Sequence, residues 1–388
     1  MNPLEPLLSL VPAPPLWQID WRAAEQWLTE KTVTALSETR QDPRYHAEGD
    51  VYTHTRLVVQ ALCEMDRFRE LTERKRAELF LAALLHDVGK PQTTIISSDA
   101  ITSPGHAPTG ARIARRRLYA DHGICGTTDL LNFRETVCNL INYHTFPVHA
   151  LNDENNERML RIAAQGELIP DFNLDLLCIL AEADMRGRHS EHVTAHIESA
   201  ELCRELARDT GCLCSPYPFA SVVTQHALLN GRRLWRDQIM PDTSWGEVVM
   251  LAGLPAAGKD TWIARNLTGL PVISLDELRE KYHVSPLDRQ TAIGRLAQEQ
   301  ARAFLRRHEP FVWNATNISV TIRQTLLRLF ESYGARVRII YLETSPENQQ
   351  SRNANRTHVV PQSAIDKMIA RLTPPARHEA THVQWICN

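Results

Sequence analysis

The chain has 388 residues, 43% of them hydrophobic and 23% charged, with a formal net charge of -3. That length exceeds one ordinary core, since domains of about 100–200 residues are the rule, so two are expected. The balance excludes a disordered or membrane-spanning chain. The small negative charge offers no global attraction for nucleic acid. A polynucleotide contact would need a local basic patch such as Arg112, Arg115, Arg116 and Arg117, and those four also read as a solvated helix face.

In chain order, the opening MNPLEPLLSLVPAPPLW lacks a basic start, carries Glu5 and is broken by prolines. A secretory signal is therefore not expected, and the protein reads as cytoplasmic, with no membrane partner. From Pro15 to about Arg208 the apolar residues recur at helical spacing, as in Arg76–His86 and Leu174–Asp184, which predicts an all-α bundle. The eight cysteines are scattered, and only Cys212 and Cys214 are close, in neither redox nor zinc spacing. Reduced core thiols are expected.

After Cys212–Pro218 and a polar stretch through Arg232, Asp237 and Pro241, the pattern changes, placing a boundary near 230–245 and domains at 1–235 and 245–388. Glu247–Ala252, Pro271–Ser274, Pro310–Trp313 and Arg336–Leu342 read as buried strands, alternating with helices such as Ala292–Arg307 and Ile322–Ser332. Such alternation predicts an α/β domain with a parallel sheet.

In the helical half, His46-Ala-Glu-Gly-Asp-Val-Tyr-Thr-His54 precedes a helix ending in His86-Asp87-Val-Gly89-Lys90. Imidazole and carboxylate suit transition metals, and a helix closing at Gly89 can point both groups into one cavity with His54. Asp184, in an otherwise apolar helix, needs a cation or donor to be buried there and would complete a four-residue site. His106 and His144 fall between and are candidates for a second ion. Two ions about 3.5–4 Å apart activate a water and stabilise phosphoryl oxygens, as phosphoester hydrolysis requires. Lys90, one turn past His86, is placed to contact the substrate phosphate.

The order His54, His86-Asp87, His106, His144, Asp184 resembles the HD phosphohydrolase superfamily. The local texts Leu-Leu-His-Asp-Val-Gly-Lys and Gly-His-x-x-x-Gly-Ala are similar to the HD domains attached to bacterial tRNA nucleotidyltransferases. The resemblance implies that His46 lies near the substrate. His122, His149 and His189 fit no slot in it.

In the second half, Gly253-Leu254-Pro255-Ala256-Ala257-Gly258-Lys259-Asp260-Thr261 joins a strand to a helix start. Its amides can cradle phosphates and Lys259 can span them, so ATP or another nucleoside triphosphate with Mg2+ is the expected ligand. Asp260 departs from the usual Ser or Thr that meets the magnesium. Asp276 and Arg279 share a helix face at the next strand's end, as an acceptor-side carboxylate and phosphate grip would, or as a helix cap and an exposed charge. Arg352 and Arg356, at i and i+4, suit a lid over the γ-phosphoryl group or a solvated basic turn.

These three motifs resemble the kinase domain of phage polynucleotide kinase-phosphatase, an adenylate-kinase-like P-loop fold. With the HD module before it, the chain resembles the bacterial bifunctional end-healing enzymes. That resemblance implies phosphorylation of 5'-hydroxyl RNA or DNA ends by the second domain. It also implies hydrolysis of 2',3'-cyclic and 2'-phosphate ends by the first, with manganese, nickel, cobalt or zinc, and two ions are expected. Asp276 is then the general base, Arg279 the acceptor-phosphate contact, and Arg352 and Arg356 the lid. A separate ligase is a candidate partner. Two rival readings stand beside it: an HD phosphodiesterase of nucleotide signalling gated by the P-loop half, and a small-molecule kinase fused to an HD hydrolase.

Overall fold

The computed structural model describes residues 3–152, 156–283, 290–356 and 358–388. The chain divides into two compact units, Met1–Ile124 with Asp129–Tyr217, and Cys125–Thr128 with Pro218–Asn388. Among the described residues, no helix is long and apolar enough to cross a membrane.

The first unit is helical, apart from a short antiparallel hairpin of β1 (Ile95–Ile96) and β2 (Ile101–Thr102). Its centre is helix Glu73–Leu85, buried on every side from Ala77 onward, as expected of a helix with no polar stripe. Helix Val51–Glu64 packs against it, and helix Leu174–Arg186 packs against both. Side chains set where these helices begin: Asp50 accepts from Thr53 N at 2.9 Å and Asn173 from Leu176 N at 3.0 Å. Such caps stabilise a helix start by about 1 kcal/mol. They also fix the turn on which His54 projects.

The second unit contains, among the described residues, a five-stranded sheet of β3 (Glu247–Ala252), β4 (Val272–Ser274), β5 (Phe311–Asn314), β6 (Arg336–Glu343) and β7 (His382–Cys387). All pairings are parallel, in the order β4-β5-β3-β6-β7. The first strand in sequence thus lies at the centre, where strand order reverses and α/β folds bind ligands beyond the strands' carboxyl ends. Val249, Leu251, Val312, Ile340 and Leu342 form the core with Ile263 of the helix Lys259–Asn266. The fold is a helical bundle followed by a P-loop α/β domain. Strand β7, absent from the sequence reading, is an edge strand only half-buried along most of its length. It lacks the continuous apolar run that marks the inner strands.

Two sequence expectations meet a different arrangement. The division falls at Tyr217/Pro218 rather than 230–245, because helix Val222–Leu229 packs with the second unit. There Gln225 Oε1 accepts from Arg377 Nη2 at 2.6 Å, and Thr224 Oγ1 donates to Gln238 O at 2.5 Å. The supposed basic patch does not form. Arg115 is buried against Glu135 at 2.7 Å, and Arg117 is buried over the Trp27 ring, donating to Leu28 O at 2.8 Å. Burial of a guanidinium demands such partners, and only Arg112 and Arg116 remain exposed. Among the described residues no cysteine is in a disulfide, and most of the eight are buried.

Candidate functional site

In the first unit, five helices each deliver a side chain from near one of their ends. His54 lies in the first turn of Val51–Glu64, His86 and Asp87 follow Glu73–Leu85, His106 begins His106–Arg116, His144 follows Thr128–Tyr143, and Asp184 is in the last turn of Leu174–Arg186. The structure brings all six together. His54, His86, Asp87, His144 and Asp184 are buried, and His106 nearly so.

The imidazoles are oriented from behind. Nδ1 of His86, His106 and His144 each lies 2.8 Å from a backbone carbonyl, of Ala83, Ser103 and Ile141. A carbonyl only accepts, so Nδ1 holds the proton and the Nε2 lone pair faces the cavity. Nε2 of His106 and His144 are 3.3 Å apart, and those of His86 and His54 are 3.4 Å apart. His54 Nδ1 lies 2.9 Å from the buried Glu48 Oε1. Asp87 stands between the pairs, with Oδ2 3.1 Å from His86 Nε2 and Oδ1 3.5 Å from His106 Nε2. Neither Asp87 oxygen accepts a hydrogen bond from the described residues, although Lys90 Nζ is 2.7 Å from Oδ2. Asp184 Oδ1 is 3.0 Å from His54 Nε2, and Arg188 grips the same carboxylate through Nη2 at 2.7 Å and Nε at 3.2 Å.

Converging lone pairs around an orphaned carboxylate are the donor set of a divalent transition ion. Two groups of donor atoms, His54–His86–Asp87 and Asp87–His106–His144, lie within coordination reach and share Asp87. The residues therefore fit a metal centre, and the shared aspartate fits two neighbouring ions. Burial, with His86 alongside, pushes His144 down to about 3, keeping it neutral as a ligand must be. Burial works against ionisation of Asp87 and Asp184, but His86 and Lys90 beside the first, and Arg188 and His54 beside the second, hold both well below the usual carboxylate range. Burial would also lower His86, but the charge and hydrogen bond of Asp87, the charge of Asp184 and the Ala83 carbonyl together offset it, so His86 is raised.

Gly89 makes the convergence sterically feasible. A Cβ there would lie 2.2 Å from His106 O and 2.7 Å from Gly110 N, so the turn after Asp87 packs backbone to backbone on the helix that carries His106. Beside the donors opens a cavity of about 250 Å3, lined by Tyr45, His46, Lys90, His106 and Arg188 among others. Sequence reasoning quoted Glu48 without giving it a role, and it overlooked Arg188. The signal for Arg188 was its i+4 spacing from Asp184, hidden because it follows the helix's end at Arg186.

In the second unit, the Gly253–Thr261 loop leaves β3 at the sheet's centre. Gly253 has φ +140°, and a Cβ there would meet Leu342 O at 2.3 Å, so only glycine lets the loop turn against β6. The loop is held by its carbonyls: Pro255 O accepts from Gln349 Nε2 at 3.0 Å and Ala257 O from Asn388 Nδ2 at 3.1 Å. Lys259 Nζ donates to Gly253 O and Leu254 O at 3.0 and 2.9 Å, and burial pushes its ammonium down to about 8. Asp260 Oδ1 accepts from Asn314 Nδ2 at 2.6 Å. The Asn317 amide is buried and donates to Leu251 O.

Ser274, not Asp276, caps the helix Leu275–Lys281, accepting from Glu277 N. Asp276 is instead gripped by two arginines, Arg279 Nη1 at 2.5 Å and Arg356 Nη2 at 2.8 Å. Burial would raise its carboxyl, but Arg279 and Arg356 lower it below the ordinary value. Arg352 Nη1 lies 3.3 Å from where a Cβ of Gly258 would stand, so this guanidinium sits against the end of the loop.

Fold and site together define a helical domain with a buried His/Asp cluster fit for metal, and a separate α/β domain built on a P-loop. Residues 51–181 match the family model described as HD domain, and residues 248–375 match the one described as AAA domain. Among curated proteins, the chain is similar to the Multifunctional CCA protein of Halorhodospira halophila (strain DSM 244 / SL1). The two are 38% identical over 85 residues, which is 22% of this chain and 18% of that protein. The chain thus spans less than a fifth of that relative's length.

Proposed function

We propose that the protein heals polynucleotide ends, its second unit phosphorylating a 5'-hydroxyl from a nucleoside triphosphate and its first removing 2',3'-cyclic and 2'-phosphates. The observation that carries the reading is Asp276, held between Arg279 and Arg356 near the P-loop lysine. A carboxylate kept ionised can accept the proton of an attacking hydroxyl. Arg279 beside it suits the phosphate of a polynucleotide acceptor, a charge that a plain sugar acceptor lacks. Lys259 spans the donor phosphates, and Arg352 and Arg356 neutralise charge on the transferring group. Asp260, whose carboxylate accepts from Asn314, would hold the magnesium in place of the usual hydroxyl.

In the first unit, His54, His86, Asp87 and Asp184 would hold one divalent ion, with His106 and His144 sharing Asp87 toward a second. Bound there, manganese, nickel, cobalt or zinc supplies an activated water and stabilises negative phosphoryl oxygens. Lys90 and Arg188 orient the phosphate from the cavity side. A cyclic end opened by water to a monoester would still face Lys90 and Arg188, so a second hydrolysis by water could follow at the same site.

Labelling from γ-radioactive ATP tests the kinase reading. Transfer to a 5'-hydroxyl oligonucleotide, with none to a mixture of nucleosides and sugars, supports it. Transfer only to the small molecules refutes it in favour of a small-molecule kinase.

A further inference from the structure

We propose that Tyr45 is a stacking platform for the terminal base of the first unit's substrate, so that this site recognises a nucleotide end rather than a bare phosphoester. The inference rests on the end-healing reading and specifies how that site chooses its substrate. The cavity beside the metal donors is graded. Its lining includes the buried Lys90, with His106 and Arg188, which suit a phosphate, and the exposed Tyr45, with Ile101. At about 250 Å3 it falls below the roughly 300–1,000 Å3 of pockets that enclose a whole small ligand. It has room for a phosphate and part of a ribose. The base must then remain at the mouth.

Tyr45 is 46% exposed and lines that cavity. The His192 ring lies 6.3 Å from it, tilted by 35°, and the Arg44 guanidinium is 5.8 Å from its ring centre. Tyrosine, histidine and arginine planes are the surfaces on which splayed bases stack. The turn presenting Tyr45 is held rigidly. The buried Asp42 accepts from Arg44 N at 3.0 Å, Arg44 Nε at 2.9 Å, Arg44 Nη2 at 2.6 Å and Ile101 N of β2 at 3.4 Å, while Tyr45 N donates to Asp42 O at 3.0 Å. An exposed aromatic ring contributes little to the core, yet here four hydrogen bonds to one buried carboxylate fix its place. Pre-ordering of this kind removes the entropy a loop would lose on binding.

The test compares adenosine 2',3'-cyclic phosphate with its base-free analogue, methyl ribofuranoside 2,3-cyclic phosphate, on the full chain with manganese. The substitutions Tyr45→Ala and Tyr45→Phe leave every metal donor in place. Tyr45→Ala should raise KM for the adenosine compound about tenfold, within the range that stacking a base on an aromatic ring provides. Its kcat should stay within about twofold, as for loss of uniform binding. The base-free compound should not distinguish Tyr45→Ala from wild type, and Tyr45→Phe should keep the wild-type KM. If wild type hydrolyses the adenosine compound and Tyr45→Ala does so with the same KM, the platform is wrong and the end-healing reading survives. If wild type hydrolyses neither compound, the end-healing reading fails and the platform with it.

Discussion

Replacing Gly89 by alanine tests whether the HD turn and the second half of the metal site are one rigid construction. The added Cβ would stand 2.2 Å from His106 O and 2.7 Å from Gly110 N, both backbone atoms that no rotamer change can clear. To reach ordinary contact the turn and the helix His106–Arg116 must separate by about 1 Å, and close-packed interiors resist such shifts. Overpacking of this kind destabilises by about 1–3 kcal/mol. At about 2–4 °C per kcal/mol for a unit of this size, the first unit's unfolding midpoint should fall by about 2–12 °C. The same separation pulls His106 from Asp87, and an error of about 1 Å at a reacting centre slows it about a hundredfold. Calorimetry, manganese titration and phosphoester hydrolysis measure these effects, and ATP-dependent labelling by the second unit should be unchanged. The control is Gly294→Ala in helix Gln290–Arg306, where nothing lies within 4 Å and alanine should stabilise by about 0.5–1 kcal/mol. A Gly89→Ala protein with wild-type midpoint and hydrolysis would refute the argument.

Asp276→Asn should slow 5'-labelling about a hundredfold or more, as expected for a lost general base, while hydrolysis by the first unit persists; labelling at the wild-type rate would remove Asp276 from that role. Lys259, pushed down to about 8 by burial, is charged below that pH and loses its charge above it. ATP affinity should therefore fall about tenfold from about pH 7 to about pH 9, with Lys259→Arg staying flat because guanidinium keeps its proton; parallel profiles for the two proteins would contradict this. A fragment of residues 218–388 should fold and label oligonucleotides. One of 245–388 should be less stable by about 1.5–3 kcal/mol, because Arg377 Nη2 loses its buried bond to Gln225. Equal denaturation midpoints for the two fragments would show that helix Val222–Leu229 adds nothing.

Much of this arrangement was legible because chemistry-bearing residues sat where periodic segments end. Apolar residues at helical spacing before His86 marked a helix, and the run Glu247–Ala252 marked a buried strand, so the motifs following each could be placed at an element's end. Partnerships across distant segments were not legible. No local pattern announces that Arg115 meets Glu135, which turned an apparent basic patch inward, or that Gln225 meets Arg377, which moved the division between the units upstream. Glu48 behind His54 and Arg188 on Asp184 escaped assignment for the same reason, since each acts through a residue that the sequence had already marked for another role.

The central claim is tested most directly with a single oligonucleotide carrying a 5'-hydroxyl and a 2',3'-cyclic phosphate, incubated with manganese, magnesium and ATP and read by mass spectrometry. Wild type should add one phosphate at the 5' end and leave a hydroxyl at the 3' end. Asp87→Ala should perform only the first change and Lys259→Ala only the second. An oligonucleotide left untouched at both ends, by protein that cleaves a free cyclic dinucleotide, would contradict end healing and favour a signalling phosphodiesterase.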